Sequence, residues 1–328
     1  MMQSTLLLTR SDVAALLTID DYIASIERVF KLYGEGKTGA PGLLGVHAPS
    51  GGFHIKAGML DLEQSFFAAK INANFPQNAT RFGLPLIQGF IVLCNAENGL
   101  PLAVMDSIEI TIQRTGAATA VAAKYLARKE SKSLTVCGCG NQGRISVQAL
   151  SKVFPIETVF AFDIDSDKAA KFAEEMPQDF QVIATDDVHG AVSKSDLIVT
   201  CTPSNKYFLR RESVRAGTFI AAVGADNESK QELDPTLLAE NATIVDVLDQ
   251  SASIGELHHA LEAGLMVRSD VRAELGEVVA GIKPGRTSAD EIIVFDSTGM
   301  ALQDVIAAAM VYERAKQVQV GKALDFAS

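Results

Sequence analysis

The chain has 328 residues, and its 29 Lys plus Arg against 40 Asp plus Glu give a formal charge of −11, which argues against a nucleic-acid protein with its concentrated basic patch. Hydrophobic residues make up 48% and charged residues 21%, an ordinary globular balance that excludes disorder; no apolar run approaches the roughly 20 residues that span a bilayer. The four cysteines, Cys94, Cys137, Cys139 and Cys201, are too few for a disulfide scaffold, and the start lacks the basic segment and small-residue cleavage site of a signal peptide, so the expectation is a cytoplasmic two-domain protein without a nucleic-acid or membrane partner.

Residues 9–36 read as one helix: Thr9, Ser11 and Asp12 offer caps, and Ile23, Ile26, Phe30 and Tyr33 recur three and four apart. Gly34, Gly36 and Gly39 end it. Residues 42–102 turn to short β-rich runs, 66–75 and 87–94 among them, punctuated by Gly, Pro and Asn. Residues 111–127 form an alanine-rich helix. From residue 133 the pattern alternates: apolar strands at 134–137, 158–162, 182–184, 197–201, 219–223 and 243–247, with helices such as 142–152 and 168–175 between the first of them. That alternation predicts an α/β fold with a doubly wound parallel sheet covered on both faces. A last helix covers 300–317.

The strand at 134–137 runs directly into Gly138-Cys-Gly140-Asn141-Gln142-Gly143 and then a helix. This is the strand–turn–helix setting that a dinucleotide-binding GxGxxG needs. Gly138 permits the turn, Gly140 lets the backbone approach a pyrophosphate, and Gly143 lets the helix pack close. The helix N-terminus offers N–H groups to the phosphates. The next strand ends at Asp163, 20 residues past the last glycine, where an acid accepts the ribose hydroxyls. Asp163, Asp165 and the lack of a nearby arginine predict NAD(H) rather than NADP(H). Further cofactor contacts are expected at the carboxyl ends of later strands, from Thr202, Pro203, Gly224 and Asp226, with Thr115 and Ser297 from the flanking segments. Cys137 and Cys139 read as a buried strand end and a loop residue. His258 and His259 sit about 100° apart on a helix, and no Cys/His cluster has zinc spacing, so no metal is expected.

Period-two alternation puts Lys70, Asn72 and Asn74 on one face of a strand and Ala69, Ile71 and Ala73 on the other. Either that lysine face is a solvent-facing edge, or it is the wall of a pocket in which the lysine has a partner. Arg114, in the first turns of the 111–127 helix, is either a domain-interface ion pair or a clamp for a carboxylate. His54 and Lys56 share a strand face, adding positive charge to the same pocket or lying solvated.

Taken together, residues 69–78, 111–115, the Gly138 loop, 223–233 and 295–304 resemble the ornithine cyclodeaminase/mu-crystallin family. The resemblance implies a homodimer whose substrate-binding and dimerisation domain is built from 1–112 and 302–328, with an NAD-binding Rossmann domain at 113–301. It implies nicotinamide-linked chemistry on amino or imino acids, with Lys70 as active-site lysine, Arg114 as carboxylate-binding arginine and Asp226 as the proton-transfer acid. Two departures stand out. The family usually carries an arginine two residues after a proline where this chain reads Pro41-Gly42-Leu43, and Met-Pro-Ala where this chain reads Lys56-Ala57-Gly58. His54 or Lys56 is expected to replace the missing cation, with Asn72 beside them. Positive charge there suits an imino acid better than ornithine, whose second ammonium needs an acid. The expected reaction is reduction of Δ1-pyrroline-2-carboxylate to L-proline; the alternatives are an ornithine or lysine cyclodeaminase that recycles NAD, and a cofactor-binding protein without turnover.

Overall fold

The computed structural model describes residues 4–177 and 179–325, and it divides into two compact units. The first comprises the chain up to Val29, Gly36–Arg114 and the chain from Met300 onward; the second comprises Phe30–Glu35 and Thr115–Gly299.

In the first unit seven strands lie in the order Lys322–Leu324, Thr5–Leu8, Pro101–Asp106, Ile87–Asn95, Ser65–Asn74, Gly51–Asp61, Gly42–Ala48. The pairings are antiparallel except Thr5–Leu8 with Pro101–Asp106. Lys56 pairs with Lys70, His54 with Asn72, and Ile55 with Ile71. Directly opposed residues share a face, so the pleat gives this sheet two chemically different sides. The side bearing Lys70 also carries Leu60, Ala68, Ile91 and Leu93, all buried, and the helix Ala301–Val318 packs on it. From Ala301 to Tyr312 that helix is buried around most of its circumference, while the charged residues of its last turns, such as Arg314 and Lys316, are not. Gly58 lets it come close: a Cβ there would lie 2.9 Å from a Leu302 methyl and 3.6 Å from a Val305 methyl. The opposite side carries Leu44, Val46, Phe53, Met59 and Phe90, large apolar residues that all remain exposed.

The solvent-facing-edge reading of Lys70 is thereby overturned. Its strand is interior to the sheet, and the uncovered side is the apolar one.

The second unit holds eight parallel strands in the order Ala273–Glu274, Ala242–Val245, Ile293–Asp296, Phe219–Ala222, Leu197–Thr200, Ser133–Cys137, Thr158–Phe162, Gln181–Thr185. All six expected strands are present. The strand Ile293–Asp296 enters between the fifth and sixth, a position that sequence order does not reveal. The order of strands reverses at Ser133–Cys137, which pairs with Leu197–Thr200 on one side and Thr158–Phe162 on the other. Ligands of open α/β sheets bind at such a point, outside the carboxyl ends.

The expected single helix at 9–36 is two, Arg10–Leu16 and Ile19–Gly34. Each has its own N-terminal cap. Thr9 and Asp12 form a reciprocal capping box, and Asp21 repeats the pattern by accepting from the Thr18 backbone N–H at 2.8 Å while Thr18 Oγ1 accepts from the Asp21 N–H at 3.3 Å. The second T-x-x-D is a start signal inside what otherwise reads as continuous helix.

A Cβ at Gly34 would collide with the Gly276 carbonyl group, which is backbone and has no rotamer with which to retreat. Gly34→Ala is expected to destabilise the protein by about 2 kcal/mol or more, seen as a lowered Tm in thermal unfolding; an unchanged Tm would show that the two segments separate without loss.

Candidate active site

Residues far apart in the chain build one buried cluster in the first unit. Lys70, on Ser65–Asn74, is 3% exposed, and its Nζ lies 2.7 Å from Asp304 Oδ2. Asp304 comes from the first turn of Ala301–Val318 and is 2% exposed. Its Oδ1 accepts from Arg114 Nε at 3.2 Å, and Arg114 Nη1 donates to Gln303 Oε1 at 3.0 Å. Lys70 Nζ donates a long hydrogen bond, 3.4 Å, to Thr111 Oγ1. Thr111 and Arg114 lie three residues apart on the helix Ser107–Leu126, hence on one face. Asn72 Oδ1 accepts from Ser107 Oγ at 2.6 Å.

Burial dominates the electrostatics of this cluster. It pushes Lys70 down to about 7; the Asp304 carboxylate works against that shift, while the positive charges of Arg114 and Lys56 add to it. Burial also works to raise Asp304, but Lys70 and then Arg114 outweigh it and hold the carboxyl below its ordinary value. Lys56, itself buried, thus acts on both. The cluster is what a small carboxylate needs: preformed donors in a desolvated setting, where a charge-assisted bond is strongest.

The second unit holds a separate cradle. Gly138 has φ +107°, in the region that favours glycine. Nothing lies within 4 Å of a Cβ built on Gly140, so its face is open to a ligand, while a Cβ on Gly143 would meet the Gly138 carbonyl oxygen. Gly140 caps the 13-residue helix Asn141–Val153 with no side-chain cap bond, which leaves its first N–H groups for an anion. The buried Gln142 Oε1 has no hydrogen-bond partner among the described residues. Asp163, at the end of its strand, accepts from the Cys139 N–H at 2.9 Å and the Asp165 N–H at 3.1 Å. The glycine loop and the ribose-type acid are therefore tied together.

Glu232 organises the next loops. One of its oxygens accepts from Thr202 N at 2.6 Å and Thr202 Oγ1 at 2.7 Å, the other from Gly224 N at 3.1 Å. Burial raises its pKa. Pro203 is exposed beside Thr202. Asp226 is half-exposed, with Oδ1 2.7 Å from Lys230 Nζ. Ser297 is buried; its N–H donates to Ala222 O at 2.9 Å and its hydroxyl to Asp246 at 3.5 Å. Thr115 is buried, and its carbonyl accepts from Thr119 Oγ1.

The structure brings Lys70, Arg114 and Lys56 into one cluster, with Asn72 and His54 paired across strands on the same sheet side. Arg114 contacts Asp304 and Gln303 of its own unit, in place of the domain-interface pair that remained open. Sequence reasoning missed Asp304, Gln303, Thr111 and Glu232. Asp304 had a signal: a carboxylate inside the apolar run Ala301-Leu-Gln-Asp304-Val-Ile-Ala-Ala-Ala requires a cation. An arginine is near the cradle after all. Arg144 acts on Cys139, as does Asp163, but it is held by Glu175 and stacks on Phe172, 5.1 Å from the ring centroid. His258 and His259 do approach one another, ring centroids 5.2 Å apart, with Glu262 close by; His259 Nε2 is engaged at 2.8 Å by the Lys230 carbonyl.

The sequence model of the ornithine cyclodeaminase/mu-crystallin family matches residues 3–319. An alanine dehydrogenase of Archaeoglobus fulgidus is 39% identical over 98% of both chains. A solved archaeal alanine dehydrogenase dimer with bound NAD superposes with TM-score 0.94 at 38% identity, covering 98% of this chain and 99% of that one. The Δ1-pyrroline-2-carboxylate reductase of Thermococcus litoralis, solved with NADH and L-proline, gives TM-score 0.92 at 33% identity, with 98% and 100% covered.

Lys70 makes stability depend on pH in a definite sense. Its value of about 7 in the folded protein lies below the ordinary 10.5, so between these values the unfolded chain binds more protons and stability rises with pH. Denaturant unfolding above neutral pH is expected to show this rise in the wild type and to lose it in Lys70→Met; equal slopes would remove the assignment.

Proposed function

The chain belongs to the ornithine cyclodeaminase/mu-crystallin family, and from that premise we propose that it is an NADH-dependent reductase of a small α-imino acid, converting Δ1-pyrroline-2-carboxylate to L-proline. It is an NAD-dependent enzyme of the reductase and cyclodeaminase type. The observation that carries the reading is the buried pair Lys70 and Arg114 held on one acid, Asp304. The second unit fits NAD(H): the open face at Gly140 and the uncapped helix start suit a pyrophosphate, and Asp163 suits the ribose hydroxyls. Gly138, Gly140, Asn141, Gln142 and Gly143 would hold the phosphates, with Thr202, Pro203, Gly224, Thr115 and Ser297 completing the site.

Bound NADH supplies the hydride that reduces the imine carbon. Arg114 and Lys70 bind the substrate carboxylate and fix its orientation. Asp226 serves the imine nitrogen as proton donor or acceptor. Lys56, with His54 and Asn72 beside it, supplies the cation that the family arginine provides elsewhere. Lys56 and Arg114 add positive charge around Lys70, set against the acid Asp304, an environment that favours an imino acid over a diamino acid. One second reading has support of its own. The alanine dehydrogenase relative has the higher identity, and alanine formation from pyruvate and ammonia also passes through an α-imino acid.

The uncovered apolar side of the first unit's sheet belongs, in this reading, to a homodimer interface with the same side of a second copy, since exposed apolar patches of this kind mark association sites. All four cysteines are free thiols, and among the described residues no helix is long and apolar enough to cross a membrane; both suit a cytoplasmic enzyme.

NADH absorbance with a panel of substrates tests the reaction. Oxidation of NADH by Δ1-pyrroline-2-carboxylate is expected. Turnover of pyruvate plus ammonium alone selects the alanine dehydrogenase reading, proline and ammonia from ornithine without net NADH change selects a cyclodeaminase, and cofactor binding without turnover leaves a non-enzymic protein. Arg114→Met is expected to raise KM by about 10- to 100-fold, the worth of one charge-assisted bond. Lys56→Met should raise it less; an unchanged KM removes Lys56 from the site. For the interface, Val46→Glu combined with Phe90→Glu is expected to halve the mass seen by light scattering, and a wild type that is already monomeric would refute the dimer.

A further inference from the structure

Asp304 is placed where a lone carboxylate would be strongly disfavoured. Its helix neighbours Leu302, Val305 and Ile306 are fully buried, and an isolated charge among them would neutralise rather than persist. It persists because each of its oxygens meets a different cation, Oδ1 with Arg114 Nε and Oδ2 with Lys70 Nζ. Arg114 comes from Ser107–Leu126, Lys70 from Ser65–Asn74, and Lys56 reaches the same pair from Gly51–Asp61. Among the groups that act most strongly on Lys70, Asp304 is the acid, and Arg114 and Lys56 are the cations.

The neighbouring Gln303 completes the arrangement. Arg114 can only donate, so the Gln303 atom facing its Nη1 is the amide oxygen. This orientation leaves Gln303 Nε2 as a fully buried donor with no partner among the described residues, an uncommon state that points to a missing acceptor. Arg114 uses Nε and Nη1 for Asp304 and Gln303, and its Nη2 has no acceptor among the described residues of this cluster.

We propose that Asp304 is a positioning residue of the carboxylate site: it keeps Lys70 as an ammonium and, with Gln303, holds the Arg114 guanidinium by Nε and Nη1, so that Arg114 Nη2 and Gln303 Nε2 are left to receive a ligand carboxylate. The inference rests on the reading of this cluster as a carboxylate site. Burial and two neighbouring cations drive Lys70 toward the neutral amine, and Asp304 is the counterweight. Without it, the site loses a positive charge around neutral pH and the arginine loses one of its two anchors.

The test compares wild type, Asp304→Asn and Asp304→Glu as full-length NADH-loaded protein, with L-proline as the carboxylate probe in calorimetry across pH. Wild-type affinity is expected to fall as pH rises through about 7, where Lys70 titrates. In Asp304→Asn that fall moves to lower pH by about one unit or more, the scale of removing an adjacent opposite charge, so that near neutrality L-proline binds about tenfold more weakly. KM for the imino acid rises while kcat changes less, NADH affinity stays at the wild-type value as a check on folding, and Asp304→Glu restores the wild-type pH profile. An unmoved profile in Asp304→Asn, or an equal loss in Asp304→Glu, overturns the proposal. Titration of the Lys70 side chain followed by NMR needs no ligand. A lowered midpoint in Asp304→Asn supports the proposal and an unchanged one defeats it, even if the wild type reduces no imino acid and the proposed function falls separately.

Discussion

Two cations and one carboxylate, all but withdrawn from water, impose the organisation of the first unit. A buried ion pair is rarely a source of stability in itself, because desolvation offsets attraction, but removing one partner leaves an uncompensated charge and costs about 3–5 kcal/mol. Lys70 and Arg114 therefore require Asp304, and Asp304 requires the helix Ala301–Val318 to lie on that side of the sheet. Gly58, which admits the helix, and the small and aliphatic residues around Lys70 serve the same requirement. The result is a sheet with one side given to a polar cluster under a helix and the other left apolar and open.

The second unit manages its acids differently. Glu232, Glu256, Asp246 and Asp296 are all buried, yet none forms an ion pair with a cation among the described residues. They are engaged by backbone N–H and hydroxyl donors instead. Glu232 ties the Thr202 and Gly224 loops together, and Glu256 accepts from the Glu232 and Leu233 N–H groups at 2.7 and 3.1 Å. Asp246 holds the Thr298 hydroxyl and the Gly299 N–H, and Asp296, pushed up to about 7 by burial, caps the turn at Leu257. The loops outside the carboxyl ends of the strands are thus stapled by side chains from inside the fold. This gives a dinucleotide site fixed donors rather than mobile ones.

Much of this was legible in the amino-acid order. The strands of the parallel sheet announced themselves as apolar runs, the glycine loop by its spacing, and the lysine face by strict alternation around Lys70. The rest depends on distant pairing. Ile293–Asp296 is a four-residue strand whose insertion between Phe219–Ala222 and Ala242–Val245 leaves no local trace. Lys322–Leu324 is a three-residue edge strand on Thr5–Leu8, which in turn pairs with Pro101–Asp106, far away in the chain. The break in the first helix was written in Thr18 and Asp21 but masked by the regular spacing of apolar residues across it. Asp304 was visible as an acid in an apolar helix, while the identity of its partners was not, since Arg114 and Asp304 are 190 residues apart.

The pairing of Thr5–Leu8 with Lys322–Leu324, and of Lys70 with a helix that follows residue 300, sets an order on biosynthesis. A ribosome releases the segment carrying Lys70 long before Asp304, so the emerging amino-terminal portion carries that amine without the acid that pairs with it. The continuous stretch from Thr115 to Gly299 contains its whole parallel sheet and can condense first. Completion of the first unit then waits for the segment from Met300 onward, which carries both the helix that covers the lysine side of the sheet and the acid that pairs with Lys70.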